Sequence, residues 1–173
     1  MTKREVQLGS MELTVDGDKF EVGEKAPNFT AIHNDLTEYN FYNEEKNKVK
    51  IVSAVPSLDT SVCELQTYLL YKQAQKYEDD ISVITISNDL PFAQLRFIKD
   101  KEMENVKFVS DYINHEFGKS YRVFINEINL LNRSIFVIDK DNTIRYAEYI
   151  KQNTELPNIE KAIEIASNLC EEK

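Results

Sequence analysis

The residues of this chain whose types and spacing can do chemistry are concentrated in Pro56-Ser57-Leu58-Asp59-Thr60-Ser61-Val62-Cys63. The run before them, Val49-Lys50-Ile51-Val52-Ser53-Ala54-Val55, is apolar and β-branched enough for a buried strand. After them, Val62 to about Tyr77 reads as an amphipathic helix with Val62, Leu65 and Leu69 on its apolar face. Ser61 and Glu64 have capping-box spacing, a helix-start signal. Cys63 therefore falls in the first turn of a helix that leaves a central strand. Unpaired backbone N–H groups and the positive end of the helix dipole converge there. Thiols in such a setting ionise more readily, from a free-cysteine pKa of ~8.5 down to ~7 or below, and the thiolate is the nucleophile. Pro56 fixes its own backbone and ends the strand. Thr60 puts a hydroxyl shortly before the sulfur. The same pattern also fits a Cys63 that is a small buried hydrophobe beside a Ser61 that only caps, and the pattern alone does not separate the two.

At 173 residues the chain is expected to be one domain, residues 1–173, with 1–22 as an N-terminal β-hairpin extension. A 42% hydrophobic fraction is enough for a real core. Four Gly and four Pro leave little room for a flexible linker. No apolar stretch follows Met1-Thr2-Lys3-Arg4-Glu5, so no signal peptide is expected, and no run approaches membrane-helix length. Two cysteines far apart do not make a disulfide scaffold, which points to a reducing compartment, the cytoplasm. The net charge of −9 argues against nucleic acid. His33 and His115 stand alone without metal-ligand spacing, so no metal is expected. Neither a glycine-rich phosphate loop nor a Cys-x-x-Cys pair is present.

In chain order, Glu5–Leu8 and Glu12–Val15 flank Gly9-Ser10 as a hairpin, and Asp16-Gly17 turns towards Lys19–Val22. A short strand is expected at Asn28–Thr30, and irregular backbone over Asn34–Asn47. Ile81–Ser87 is the next strand, joined to the first through a helix, which makes a parallel β-α-β unit. Pro91 opens a helix whose apolar side is Phe92, Leu95 and Ile98. Val106–Val109 is a strand, Asn114–Tyr121 a short helix, and the segment to Asn132 is ambiguous. Ser134–Ile138 and Thr143–Tyr149 form a hairpin, and Pro157 to about Leu169 a last helix. This order resembles an α/β, thioredoxin-like fold: a central mixed sheet flanked by helices, with an N-terminal hairpin. Ligands of such sheets bind outside the carboxyl ends of the parallel strands, where Pro56–Cys63 lies. If the strand after Arg133 runs antiparallel to Val49–Val55, Arg133 reaches the same edge. By position alone it reads as a strand-end arginine paired with a surface carboxylate.

From about Gly23 to Pro157 the chain resembles the thiol peroxidase branch of the peroxiredoxins. The resemblance is carried by Pro56–Cys63, Asp89-Leu90-Pro91-Phe92-Ala93-Gln94, Glu104-Asn105-Val106, Ser110-Asp111, Phe117-Gly118 and Leu130-Leu131-Asn132-Arg133. It implies that the Cys63 thiolate attacks a peroxide and becomes a sulfenic acid. It further implies that Thr60 hydrogen-bonds the peroxide, that Arg133 stabilises the thiolate and the leaving oxygen, and that Pro56 shields the sulfur. No cofactor is implied. The implied partners are a peroxide, a thioredoxin-like or small-thiol reductant, and a second copy in a homodimer.

Two departures from that branch stand out. Its resolving cysteine usually follows the Phe of Pro-Phe-Ala-Gln-x-Arg-Phe, where this chain has Ile98, and isoleucine forms no disulfide. Arg122 stands where the family tends to have glycine. Cys170, the other thiol, could replace the resolving cysteine. It also lies on an apolar stripe with Ile159, Ile163 and Ala166, beside Glu171 and Glu172, a setting that favours packing over a reactive thiolate. The expected cycle therefore uses Cys63 alone. Another functional class stays open: a redox-sensing or interaction module that oxidises at Cys63 with little turnover. A disulfide reductase fits less well without Cys-x-x-Cys.

Overall fold

The apolar runs of the sequence meet in one seven-stranded sheet. The computed structural model of the chain describes residues 2–77, 79–103 and 106–172, so Glu104-Asn105 lies outside the described residues. β1 (Lys3–Leu8) and β2 (Met11–Asp16) form the N-terminal antiparallel hairpin. β3 (Thr30–His33), β4 (Glu38–Asn40) and the short α1 (Phe41–Glu44) follow. Next come β5 (Val49–Ala54), α2 (Ser61–Ala74), a 3-10 turn at Gln75–Tyr77 and β6 (Ile81–Ser87). The order continues with α3 (Pro91–Asp100), β7 (Lys107–Ser110), α4 (Glu116–Ser120), β8 (Ser134–Ile138), β9 (Ile144–Tyr149) and α5 (Ile159–Glu171). The large sheet runs β4-β3-β7-β6-β5-β8-β9. β5, β6 and β7 are parallel, while β8 is antiparallel to β5 and to β9. This is the mixed, thioredoxin-like sheet that the element order implied.

Every residue of β5 and β8 is buried, because both strands are covered on two faces. Alternation divides their side chains between two cores. Val52, Ala54, Ile84, Ile86, Phe136 and Ile138 share a core with the aromatic side chains of Phe29, Tyr39, Phe41, Phe117 and Tyr121. There Phe29 stacks on Phe41 at 5.0 Å and meets Phe117 edge-on at 4.9 Å. Val49, Ile51, Ile135 and Val137 face α2 and α5. The hairpin has its own small cluster, Val6, Leu13, Val15 and Ile125.

Several local expectations are corrected. Asn34–Asn47 is not irregular: Tyr39 and Phe41 are fully buried, and Asn40 between them caps α1 by accepting from the Asn43 N–H at 3.2 Å. Two aromatic anchors outweigh the polar majority of that segment. Beyond the Asp16-Gly17 turn, Lys19–Val22 carries one buried residue, Phe20. The apolar faces of α2 and α3 are also different. Leu65 is 45% exposed and Phe92 64%, whereas Gln66, Thr67 and Gln94 are buried. Each buried polar side chain has a partner waiting. Gln66 donates to Ser53 Oγ (2.7 Å), Thr67 to Cys63 O (2.8 Å), and Gln94 to Val109 O (2.9 Å). Hydropathy cannot detect such pairing, which makes burial of a polar group tolerable.

Arg122 has a left-handed backbone, φ 61°, a conformation glycine adopts without cost. Its side chain provides the compensation. The guanidinium lies 4.2 Å over the Phe20 ring and donates to Asp18 O at 2.8 Å. Gly17 faces it, and a Cβ there would sit 2.9 Å from Arg122 Cγ and Cδ. Arg4 donates to Gly17 O (2.8 Å) and to Arg122 O, and lies 4.6 Å over Tyr149. We expect Arg122→Ala to destabilise the chain by about 1–2 kcal/mol, because it keeps the backbone strain and loses the stacking. Arg122→Gly should recover about 1 kcal/mol of that loss. Thermal unfolding checks this, and equal midpoints for the two variants would show that the left-handed backbone is not strained.

Candidate active site

The Pro56–Cys63 stretch lies at the carboxyl end of β5 and is held there by its neighbour β6. Past Ala54, the Val55 N–H still bonds Ile86 O at 3.0 Å, and Pro56 is buried. Asp89, just beyond β6, then clamps the loop. Its carboxylate accepts from Ser57 Oγ (2.7 Å), the Leu58 N–H (2.8 Å) and Ser87 Oγ (2.7 Å). Its carbonyl accepts from Ser110 Oγ at 2.5 Å. The clamp leaves Thr60 extended (φ −105°, ψ 145°), and Thr60, not Ser61, caps α2. Thr60 Oγ1 accepts from the Cys63 N–H at 3.3 Å and donates to Ser57 O at 3.1 Å. The Ser61/Glu64 box does not form, and Glu64 pairs with Lys101 Nζ at 2.6 Å. Cys63 is the third helical residue.

Cys63 is fully buried in an apolar cluster with Val55, Leu58 and Phe108, flanked by Phe97, Ile98 and Val106. Among the described residues, one polar side chain hydrogen-bonds its sulfur. Arg133 Nη2 lies 3.0 Å from Sγ. The antiparallel pairing of β5 with β8, Ala54 opposite Ser134, brings the two together. Arg133 is not the surface arginine its position alone suggested; it is 1% exposed. Its Nε donates to Asn153 O (2.9 Å) and its Nη1 to Gln66 Oε1 (2.8 Å). Among the described residues no carboxylate forms an ion pair with it. A buried cation held by neutral acceptors leaves its charge for whatever negative group comes to that third corner.

Cys170 lies elsewhere. It packs, half-buried, against the core under α2 and α5, its Sγ 3.8 Å from Asp80 O, just before the start of β6, where Val49 and Ile81 pair at the opposite ends of β5 and β6. Burial, and then the charge of Asp80, push its thiol pKa up. Six strand residues at ~3.3 Å each separate the two ends, far beyond the roughly 7 Å Cα separation a disulfide tolerates. Among the described residues no group of three or more His, Cys, Asp and Glu is placed to hold a metal ion, and no helix is long and apolar enough to cross a membrane.

Sequence reasoning missed Asp89, Gln66 and Asn153 as parts of this site. Gln66 carried a usable signal, since a residue three beyond Cys63 shares its helix face. The roles of Asp89 and Asn153 depend on which strands are neighbours, and nothing local marks them.

The model of the Redoxin family matches residues 21–163. A thiol peroxidase of Halalkalibacterium halodurans is 43% identical over 154 residues, covering 89% of this chain and 92% of that protein. One from Bacillus subtilis is 41% identical over 165 residues, covering 95% and 98%. Among solved structures, a peroxiredoxin-like protein from Aquifex aeolicus matches with a TM-score of 0.86 at 32% identity, over 96% of this chain and 97% of its own. A thiol peroxidase from Chromobacterium violaceum matches at 0.85 over 95% of each chain, and at 19% identity this is a likeness of fold. With the family model covering most of its length and relatives above 40% identity along nearly all of it, the chain belongs to the Redoxin family, beside the thiol peroxidases whose motif Pro56–Cys63 resembles.

Proposed function

We propose that the chain is one catalytic domain, residues 1–173 with 1–22 as a hairpin extension, that reduces hydrogen peroxide or an organic hydroperoxide at Cys63. The observation that carries this reading is the Cys63 sulfur at a helix start, 3.0 Å from a buried guanidinium that has no carboxylate partner among the described residues. The thiolate attacks one peroxide oxygen. An S–O bond forms as the O–O bond breaks; sulfur is oxidised by two electrons to the sulfenic acid, and the other oxygen leaves as hydroxide or alkoxide and takes a proton. Arg133 stabilises the thiolate and the charge growing on the leaving oxygen. Thr60 Oγ1 orients the peroxide with the lone pair its cap bond leaves free. Pro56, buried at the strand end, keeps water from the sulfur.

Two equivalents of an external thiol then return the sulfenic acid to the thiol, with water and a disulfide of the reductant as products. A thioredoxin-like protein or a small thiol suits this step, in a homodimer in the cytoplasm. No resolving cysteine takes part: Ile98 packs beside Cys63 in its apolar cluster, and Cys170 sits at the far end of the sheet.

Cys63→Ser should abolish peroxide consumption while the circular dichroism spectrum stays that of the parent; surviving activity overturns the enzyme reading. Arg133→Lys keeps a charge but loses the fork that serves Asn153, Gln66 and the sulfur together. Stopped-flow oxidation of Cys63 should slow about tenfold to a hundredfold, and a parental rate would make Arg133 a structural residue only. Cys170→Ala should turn over with external thiols at the parental rate, and the oxidised parent should run as a monomer without an internal disulfide on non-reducing gels. A Cys63–Cys170 crosslink together with lost turnover in the variant would refute the one-cysteine cycle.

A further inference from the structure

A long cationic side chain acts on a chosen atom only if its own freedom is removed elsewhere, and immobilising an arginine costs rotamer entropy. For Arg133 that constraint is shared by Gln66, which takes Nη1, and by Asn153, which lies between β9 and α5 and is fully buried. The Asn153 carbonyl accepts from Arg133 Nε at 2.9 Å. Its Oδ1 accepts from the Arg133 backbone N–H at 2.7 Å and from Asn132 Nδ2 at 2.9 Å. Asn153 is therefore fastened to both ends of the arginine.

Asn153 is itself fastened to the N-terminal hairpin. Its backbone N–H and its Nδ2 both donate to Gln7 O, each at 2.8 Å. The contact continues on either side. The Gln7 N–H bonds Lys151 O at 2.7 Å, and the Gln152 side chain exchanges bonds of 2.9 and 3.1 Å with the Gly9 backbone. The path from β1 to the reactive sulfur is thus Gln7, Asn153, Arg133, Cys63, with a direct hydrogen bond at each step.

We propose that Asn153 is a positioning residue for the peroxide reaction: braced by β1, it aims the Arg133 guanidinium at Cys63 and at the oxygen that leaves. The inference rests on the reading of Cys63 and Arg133 given above. It also assigns the hairpin a role, as the wall against which the arginine is held.

The test compares two reactions of Cys63 in the full-length chain, oxidation by hydrogen peroxide and alkylation by iodoacetamide. Only the first needs a donor aimed at a leaving oxygen. Asn153→Ala removes Oδ1 and Nδ2 and keeps both backbone bonds. It should slow oxidation about tenfold and alkylation by less than about threefold, so the ratio of the two rate constants falls. Arg133→Lys should lower the same ratio, and the double variant should lower it no further, since Asn153 acts through Arg133. Unchanged rates in Asn153→Ala, or rates slowed equally for both reactions, would show a merely structural residue and overturn the inference while leaving the function intact. A parental ratio in Arg133→Lys would instead sink the reading on which the inference rests. Should Asn153→Ala fail to fold, Asn153→Asp is the replacement, isosteric and able to keep Oδ1 on the Arg133 N–H. It sets an acceptor against Gln7 O and is expected to lower the ratio; a parental ratio there overturns the inference.

Discussion

A guanidinium buried against a sulfur, with neutral oxygens on its other two sides, sets the terms for the rest of this structure. Moving such a cation out of water costs several kcal/mol unless its donors are met. A carboxylate partner would meet them and also cancel the charge. Here Gln66 and the Asn153 carbonyl each take one of the donors without cancelling anything. The positive field therefore survives at Cys63. The choice of an amide at position 66 is as consequential as that of the arginine, and it explains why the buried face of α2 carries a polar residue in its middle.

The same logic extends outward. Gln66 must itself be satisfied, and Ser53 on β5 takes its amide hydrogen. Asp89 gathers the Cys63 loop, β6 and β7 through Ser57, Leu58, Ser87 and Ser110. Gln94 ties α3 to the same two strands and accepts from Asn34. Each of these groups would cost about 1–3 kcal/mol if left buried and unpaired. The carboxyl edge of the sheet is thus stiffened by polar bonds, while its two faces are held by apolar packing. Polar networks specify one geometry more sharply than packing does, which suits the part of the molecule where angles matter.

The hairpin shows the reverse balance. It has only a small apolar cluster of its own and is fixed mainly by directional contacts: Arg4 to Gly17 and Arg122, Thr14 to Glu127, Gln7 to Asn153. Arg122 fits this picture. A glycine at that position would suit the backbone but would leave the Phe20 ring and Asp18 without their cation, and the hairpin would lose one of its fasteners.

Much of this was legible in the amino-acid order. The apolar, β-branched runs at Val49–Val55, Ile81–Ser87 and Ser134–Ile138 are local signals, so the strands and the parallel unit follow from them. The placement of Cys63 in a first helical turn follows from the strand, the proline and the capping hydroxyls. The buried faces of α2 and α3 did not follow, because Gln66 and Gln94 look like surface residues until their partners are known. Nor did the short strand and helix before β5, where two aromatics outweigh a polar context. The contact that matters most joins residues 70 apart. Its existence depends on β8 pairing antiparallel with β5, and Asn153 depends on a hairpin from the other end of the chain. Periodicity records what each segment buries against itself or its neighbours in sequence; only the tertiary structure decides which segments become neighbours, because that choice is made by the packing of all of them at once.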